Sequence, residues 1–378
     1  MPISGRLPRP AHLDVARRTM HEAADSDVAA IGTRSVVQKS YLIYEKYGRN
    51  RKGRFSMRRI PITAITLFCG IASASAQTNL RFAHTQPPSD THHAAAEHFA
   101  ERVSALTGGE ITVTVHPAGE LGSDPSILEG VRLGTIDIAQ TGNPFYTRFE
   151  PKLNVLDLPY LFNDYAHAYR VVDGEIGDRL LGELEKHRMK GLAFWEIGFR
   201  KVTNSVRAVQ TIDDLKGLKI RTTPNPAHIQ AFEKWGATPT PMAFTEVYLA
   251  LETGAVDGQE NPLNITRSNR FQEVQKHLSY TDHAYTASVV SMNLAKFNGL
   301  SEEHQQALLT AAKEAADFQR QLNRESEAED LAAIEEAGVA VVQDLDLAPF
   351  KDAVFETGIQ SFAAEQGREI VDAIIAAQ

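Results

Sequence analysis

Residues 217–263, GLKIRTTPNPAHIQAFEKWGATPTPMAFTEVYLALETGAVDGQENPL, restrict the fold more than any other stretch of the chain. A strand-like run at Leu218–Thr222 leads into Pro226 and a helical segment that stops at Gly236. Thr245 then stands where it caps a second helical segment ending at Gly254, in which Phe244, Val247, Tyr248 and Leu251 recur at helical spacing. Ala255-Val256-Asp257 supplies a further short strand. This β-α-β-α-β succession predicts half of an α/β domain, with an apolar helix face laid on a sheet. Its one costly residue is Arg221, a fixed cation at a strand exit, where open α/β sheets present groups to a cleft. That position makes Arg221 the expected anchor of a ligand.

The N-terminal region has a different character. Arg51, Lys52, Arg54, Arg58 and Arg59 precede an apolar run from Ile60 to Ala72, and Ala74-Ser75-Ala76 offers the small-x-small pattern that signal peptidase cuts. Residues 57–76 are therefore read as an export signal starting at Met57, and residues 1–56 as an upstream extension from a wrongly assigned start codon. The apolar run is shorter than the roughly 20 residues a membrane helix needs. Cleavage after Ala76 leaves 302 residues. Of the chain's 39 basic and 48 acidic residues, 13 and 5 lie before Gln77, so the remainder carries a net charge of −17. Such acidity makes nucleic acid and anionic membrane poor partners, and a small anion needs a local cluster of donors. The sole cysteine, Cys69, lies inside the signal, so no disulfide is expected. Thr66, Leu67 and Phe68 before it are too bulky for a lipoprotein cleavage site.

After the signal, a strand at Leu80–His84 gives way to Asp90, which is placed to cap a helix running to about Leu106. His92, His93, Glu97 and His98 lie on that helix without a recognised metal-ligand spacing, so neither a metal nor a cofactor is expected. His92, in the first helical turn, is instead a candidate ligand contact. Strands at Ile111–Val115 and Ile136–Gln140 flank a helix containing Leu128–Leu133, and the third strand ends at Thr141-Gly142-Asn143. A helix ending near Gly191 is followed by a strand at Leu192–Trp195, whose exit carries Arg200. Trp195 is read as core. Thr211-Ile212-Asp213-Asp214 has the form of a capping box. Pro262 opens a helical segment to about Lys276, Tyr285–Met292 returns as a strand, and Ser301 caps a very long helix toward Ile334. A strand exit and closing helices follow Asp344. No nucleophile elbow, P-loop, dinucleotide fingerprint or HExxH motif is present, so no catalytic residues are expected.

The segments IRTTPN, GATPTPMAFTEVYLALETGAVDGQENP, FAHTQPPSDTHH, HPAGELGSDPSILEGVRLGTIDIA, LDLPYLF and GFRKVTNS resemble the DctP-type solute-binding proteins of TRAP (tripartite ATP-independent periplasmic) transporters. The resemblance spans nearly everything after residue 77. It implies a two-lobed α/β periplasmic binding protein fold, class II-like, with a long interdomain helix. One lobe would comprise residues 77–199 with 286–326, and the other residues 200–285 with 327–378. It further implies a periplasmic protein that binds a small carboxylate and delivers it to TRAP membrane subunits. In the family the ligand's carboxylate sits on the arginine matching Arg221, with the arginine of the GFR segment, Arg200, also reaching the acid. Asn261 is expected in the site, as are Phe244, Gln140, Asn143, Tyr146 and His92. Gly142 and Phe145 stand where sialate-binding members carry a glutamate and an arginine. Hexuronates or aldonates fit the polar candidates His84, Thr85, His92, Gln140 and Asn143, while C4-dicarboxylates and hydroxy or keto acids stay open. The rival readings are a sensor subunit presenting the same cleft to a receptor kinase and a secreted hydrolase.

Overall fold

The computed structural model describes residues 77–378. The expected export signal at 57–76 and the extension at 1–56 lie outside the described residues. The chain begins with β1 (Thr78–Ala83), α1 (Thr91–Leu106), β2 (Ile111–His116), α2 (Asp124–Leu133), β3 (Ile138–Gly142), α3 (Tyr165–Val172), α4 (Glu175–Glu183) and β4 (Met189–Phe199). It continues with β5 (Lys201–Asn204), β6 (Lys219–Thr222), α5 (Pro226–Lys234), β7 (Thr238–Pro241), α6 (Val247–Glu252), β8 (Gly258–Asn261), α7 (Leu263–Ser268) and β9 (His277–Ser279). The last elements are β10 (Tyr285–Asn293), α8 (Leu294–Asn298), α9 (Glu302–Glu336), β11 (Ala340–Val342), α10 (Ala348–Gln366) and α11 (Glu369–Ala376).

These strands make two sheets, ordered β2-β1-β3-β10-β4 and β11-β9-β5-β8-β6-β7. In the first, β1 is parallel to β2 and β3, whereas β10 is antiparallel to β3 and β4. Phe82, Phe99, Val103, Trp195 and Met292 form the core on one side, and Ile127, Leu128, Val131, Ala139 and Val289 belong to the core on the other. Trp195 is fully buried and donates its indole N–H to the Ala312 carbonyl at 2.9 Å, a core role. In the second sheet, β6 is parallel to β7 and β8, and Ile220, Phe232, Trp235 and Phe350 share one core cluster. The Thr-Pro-Thr-Pro strand β7 lies at the sheet edge, where proline's missing N–H costs no ladder bond.

The two lobes are joined at close quarters. Arg200 alone separates β4 of one sheet from β5 of the other, and its backbone N–H donates to Ala284 O at 2.9 Å in the second crossover. Helix α9, with 35 residues, extends for roughly 50 Å at 1.5 Å per residue. Its N-terminal half packs Leu308, Ala311, Ala312 and Ala315 into the core of the first lobe. Farther along, Asp330 and Glu329 receive Arg267 of α7 at 2.8 and 2.9 Å, and Ile334 packs with Leu263 and Leu278. The helix is a spine between the lobes.

Four local expectations need correction. Thr245 does not cap α6: Phe244–Glu246 close a tight 3₁₀ turn, with the Glu246 amide on Ala243 O and the Val247 amide on Phe244 O, so the turn supplies what a cap would. Ala255-Val256-Asp257 is not a strand, because pairing starts at Gly258, opposite Asn204 and Ile220. Asp257 instead closes the ladder's end, accepting from the amides of Ser205 and Lys219. Gly191 lies inside β4 rather than at a helix end; a Cβ there would meet Leu181 at 2.8 Å, which is why the position is glycine. Finally, the helix after Pro262 stops at Ser268, where Arg270 turns the chain with φ of 60°.

Candidate functional site

Between the sheets lies a cleft of about 360 Å³ lined by Gln86, Asp124, Gly142, Pro144, Phe145, Ile197, Arg200, Arg221, Thr223, Phe244, Asn261 and Ile265. β6 carries Arg221 to its wall. The side chain is 1% exposed, donates one N–H to Met242 O at 2.8 Å and keeps Nε buried with no hydrogen-bond partner. Among the described residues no carboxylate oxygen comes within 4.0 Å of it, whereas 19 other lysine– or arginine–carboxylate pairs meet that distance. Phe244 lies beneath the guanidinium, 5.9 Å from carbon to ring centroid. Burial pushes the Arg221 pKa down to about 10, reinforced by the neighbouring Arg200 and opposed by Glu260, Asp124 and Glu246. A buried guanidinium in this state has donors left for an anion.

Arg200 presents the opposite case. It is equally buried, but its guanidinium grips Glu260, with Nε on Oε2 and an N–H on Oε1 at 3.0 Å, and it also donates to the Glu260 carbonyl and to Asn261 Oδ1 at 3.0 Å. Burial alone would raise the Glu260 pKa, yet Arg200's charge and a hydrogen bond from His283 hold it well below the carboxylate range. Arg200 is thus paired within the protein, from the β4–β5 crossover to β8, while its side chain still borders the cleft. Asn261 is engaged as well: its Oδ1 accepts from Arg200 and its Nδ2 donates to Gln259 Oε1 at 2.6 Å.

Arg221, Arg200, Asn261 and Phe244 therefore share one cleft, and the remaining four expected residues do not border it. Asn143 turns into the core, donating to Leu153 O at 2.9 Å and Asp157 Oδ2 at 2.6 Å. Tyr146 is fully buried, its hydroxyl 2.8 Å from Ser291 Oγ. Helix geometry points His92 back onto its own cap, with Nδ1 2.7 Å from Asp90 Oδ1. Gln140 sits buried within β3, between β1 and β10, where strand alternation assigns its side chain to one face only. The hydrogen bonds of Asn143, Tyr146 and His92 are thus all made inside the protein, away from the residues that line the cleft.

Reading by sequence overlooked Gln86, Thr223 and above all Asp124. Asp124 opens α2, is 2% exposed, accepts from Thr85 Oγ1 at 3.1 Å and leaves Oδ2 without a partner. Burial raises its pKa to about 6, against the pull of Thr85, its own amide and Arg221. The signal was the Ser123-Asp124-Pro125 helix start, where an acid is usually explained by the helix dipole alone. A larger open groove, about 1010 Å³ beside Leu181, Leu192, Leu309 and Lys313, contains no comparable unpartnered buried charge.

Comparison with known proteins agrees with this architecture. Residues 82–365 match the sequence profile of DctP, bacterial extracellular solute-binding protein family 7. The chain is 42% identical over 324 residues to the 2,3-diketo-L-gulonate-binding periplasmic protein YiaO of Escherichia coli, covering 84% of this chain and 99% of that protein. The crystal structure of a TRAP periplasmic solute-binding protein from Polaromonas, bound to D-erythronate, superposes with a TM-score of 0.77 at 36% identity, covering 79% of this chain and 98% of the other. A second, from Roseobacter denitrificans with bound β-D-glucuronate, gives 0.76 at 34% identity, covering 79% and 100%. With a profile match across most of its length, the two-sheet fold and the spine helix, the chain belongs to family 7 of the bacterial extracellular solute-binding proteins, the DctP family of TRAP solute-binding proteins.

Proposed function

We propose that this protein captures a small organic carboxylate of the hexuronate or aldonate type in the periplasm and delivers it to the membrane component of a TRAP transporter. The carrying observation is Arg221, a buried guanidinium with an unpartnered Nε and no carboxylate within 4.0 Å among the described residues. Isolated buried charge is expensive, so a fold retains it where a partner of opposite charge arrives from outside. Relatives whose names and titles specify 2,3-diketo-L-gulonate, D-erythronate and β-D-glucuronate support an acid of the sugar series. The protein works by binding alone. Closure of the lobes excludes water and strengthens the charge-assisted hydrogen bonds, and the closed shape is what the membrane partner reads. No helix of the described residues is long and apolar enough to cross a membrane. Export rests on the signal at residues 57–76, so the periplasmic protein should begin at or near Gln77 by intact mass.

A thermal-shift screen over organic acids tests the reading. A cognate ligand at 100 times its Kd adds about 2.7 kcal/mol to stability. If no carboxylate stabilises the protein, and uptake of the candidate acids is unchanged when the gene is deleted, the proposal falls.

A further inference from the structure

The cleft contains two buried, under-partnered charges of opposite sign that do not pair with each other. Arg221 keeps a free Nε and Asp124 a free Oδ2, both side chains line the same cavity, and no Asp124–Arg221 contact lies within 4.0 Å. Left alone, opposite charges this close in a low-dielectric site would collapse into an ion pair. They are held apart by their frames. Asp124 is fixed at the start of α2 by Thr85 at 3.1 Å, and Arg221 is fixed on β6 by Met242 at 2.8 Å. The third ionisable lining group, Arg200, is neutralised by Glu260. The free complement of the cleft is thus one cation and one anion, in a cavity whose lining also includes Ile197, Phe244 and Ile265.

From this arrangement we infer that Asp124 is the specificity-determining residue of the cleft: it accepts a hydroxyl from a polyhydroxylated monocarboxylate held by Arg221, and it rejects dicarboxylates by like-charge repulsion. The inference rests on the carboxylate-binding function proposed above. A carboxylate accepts hydrogen bonds and, when ionised, offers no proton. A ligand bearing a carboxylate at one end and hydroxyls at the other satisfies both Arg221 and Asp124, whereas a four-carbon dicarboxylate brings a second negative charge to an acid that no cation contacts within 4.0 Å. Rejecting the wrong ligand through an unmatched charge is a stronger filter than shape in a cavity this small. The raised pKa of Asp124 follows from its burial, which outweighs the pull of Thr85, its own amide and Arg221.

Isothermal titration of the protein isolated from the periplasm, at pH 7.5, decides the matter with D-gluconate, D-galacturonate, D-erythronate, butyrate and succinate as probes. At least one of the three hydroxylated acids should bind about 100-fold or more tighter than succinate, and butyrate should trail it by about 10–100-fold for want of the hydroxyl. Asp124→Asn, which keeps shape and removes charge, should narrow the gap between the hydroxylated acid and succinate at least 10-fold, mainly by improving succinate. Thr85→Val, which frees Asp124 from its tether, gives a second variant should the first misfold, and it too should change the ratio. If the wild type binds succinate as tightly as any hydroxylated acid, or if Asp124→Asn weakens all ligands equally, the specificity role is refuted while carboxylate binding stands. If none of the five acids binds the wild type, both the role and the reading of the cleft are overturned.

Discussion

Replacing Arg221 by lysine keeps the positive charge and removes the planar pair of N–H donors, which isolates what the guanidinium contributes. In the structure this side chain spends one N–H on Met242 O and holds Nε free, so the second parallel donor needed for a carboxylate is available without breaking any protein bond. An ammonium on a shorter stem offers one point contact and must give up either Met242 or the ligand. The loss should be on the order of 2–4 kcal/mol, about 30- to 1000-fold in Kd. The ligand-free protein should respond in the opposite sense. Arg221→Met removes a buried charge that no carboxylate contacts within 4.0 Å, and should leave ligand-free stability unchanged or raise it by about 1–3 kcal/mol. Titration calorimetry with the cognate acid and denaturant melts of the ligand-free protein give both numbers. Wild-type affinity in a folded Arg221→Lys protein would sink the anchor, and strong destabilisation of ligand-free Arg221→Met would show Arg221 to be a structural cation instead.

Other perturbations separate the parts of the site. Glu260→Gln strips the counter-charge from buried Arg200 and should cost about 3–5 kcal/mol in urea melts. Because the folded-state pKa of Glu260 is depressed, its contribution is complete above the unfolded value near 4 and is lost as pH falls further, so the difference between wild type and variant should shrink below pH 4. Asp124 has the reverse sign: its folded pKa is raised to about 6, so stability drains away as pH rises from the unfolded value through 6. Asp124→Asn should therefore raise the ligand-free melting temperature at pH 7.5 and leave it nearly unchanged at pH 4. Asn261→Ala leaves Gln259 Oε1 unpaired, removes one of Arg200's acceptors and should weaken ligand binding by about 1–3 kcal/mol; unchanged affinity with lowered stability would make it a turn-shaping residue only. At the cleft lip, Ser268 donates to Asp90 at 2.6 Å and Asn269 to Gln86 at 3.0 Å across the lobes, so the Ser268→Ala, Asn269→Ala double variant should speed ligand dissociation in stopped flow with little change in association.

What the sequence disclosed follows the range of the forces involved. The Asp90 cap on α1, the Thr211–Asp214 capping box and the Ser301 cap are local, set by residues within a turn of one another, and all three are present. The placement of Arg221 on the cleft wall was legible because an arginine at the exit of a strand in an open α/β sheet faces the cleft. The direction of Asn143 and Tyr146 was not, since it depends on which face Leu153, Asp157 and Ser291 occupy after the first sheet assembles. The Arg200–Glu260 pair joins residues 60 apart, a distance over which composition carries no information. Asp124 was hidden by its own plausibility, for an acid at a helix start needs no ligand to explain it.

The two charges of the cleft belong to different lobes, Asp124 to a helix packed on the first sheet and Arg221 to a strand of the second, while Arg200 lies at the single-residue crossover between them. A group at the pivot has almost no lever arm, so Arg200 and Glu260 can stay clasped through every opening. Asp124 and Arg221 stand off the axis and separate when the lobes part. On the function proposed above, a molecule long enough to satisfy both at once would draw the jaws together and the protein would act as a coincidence detector: a short acid such as acetate would occupy Arg221 and leave the lobes apart. Under that proposal the signal for docking would come from two simultaneous contacts rather than from occupancy, and a membrane partner would be spared empty or half-filled deliveries.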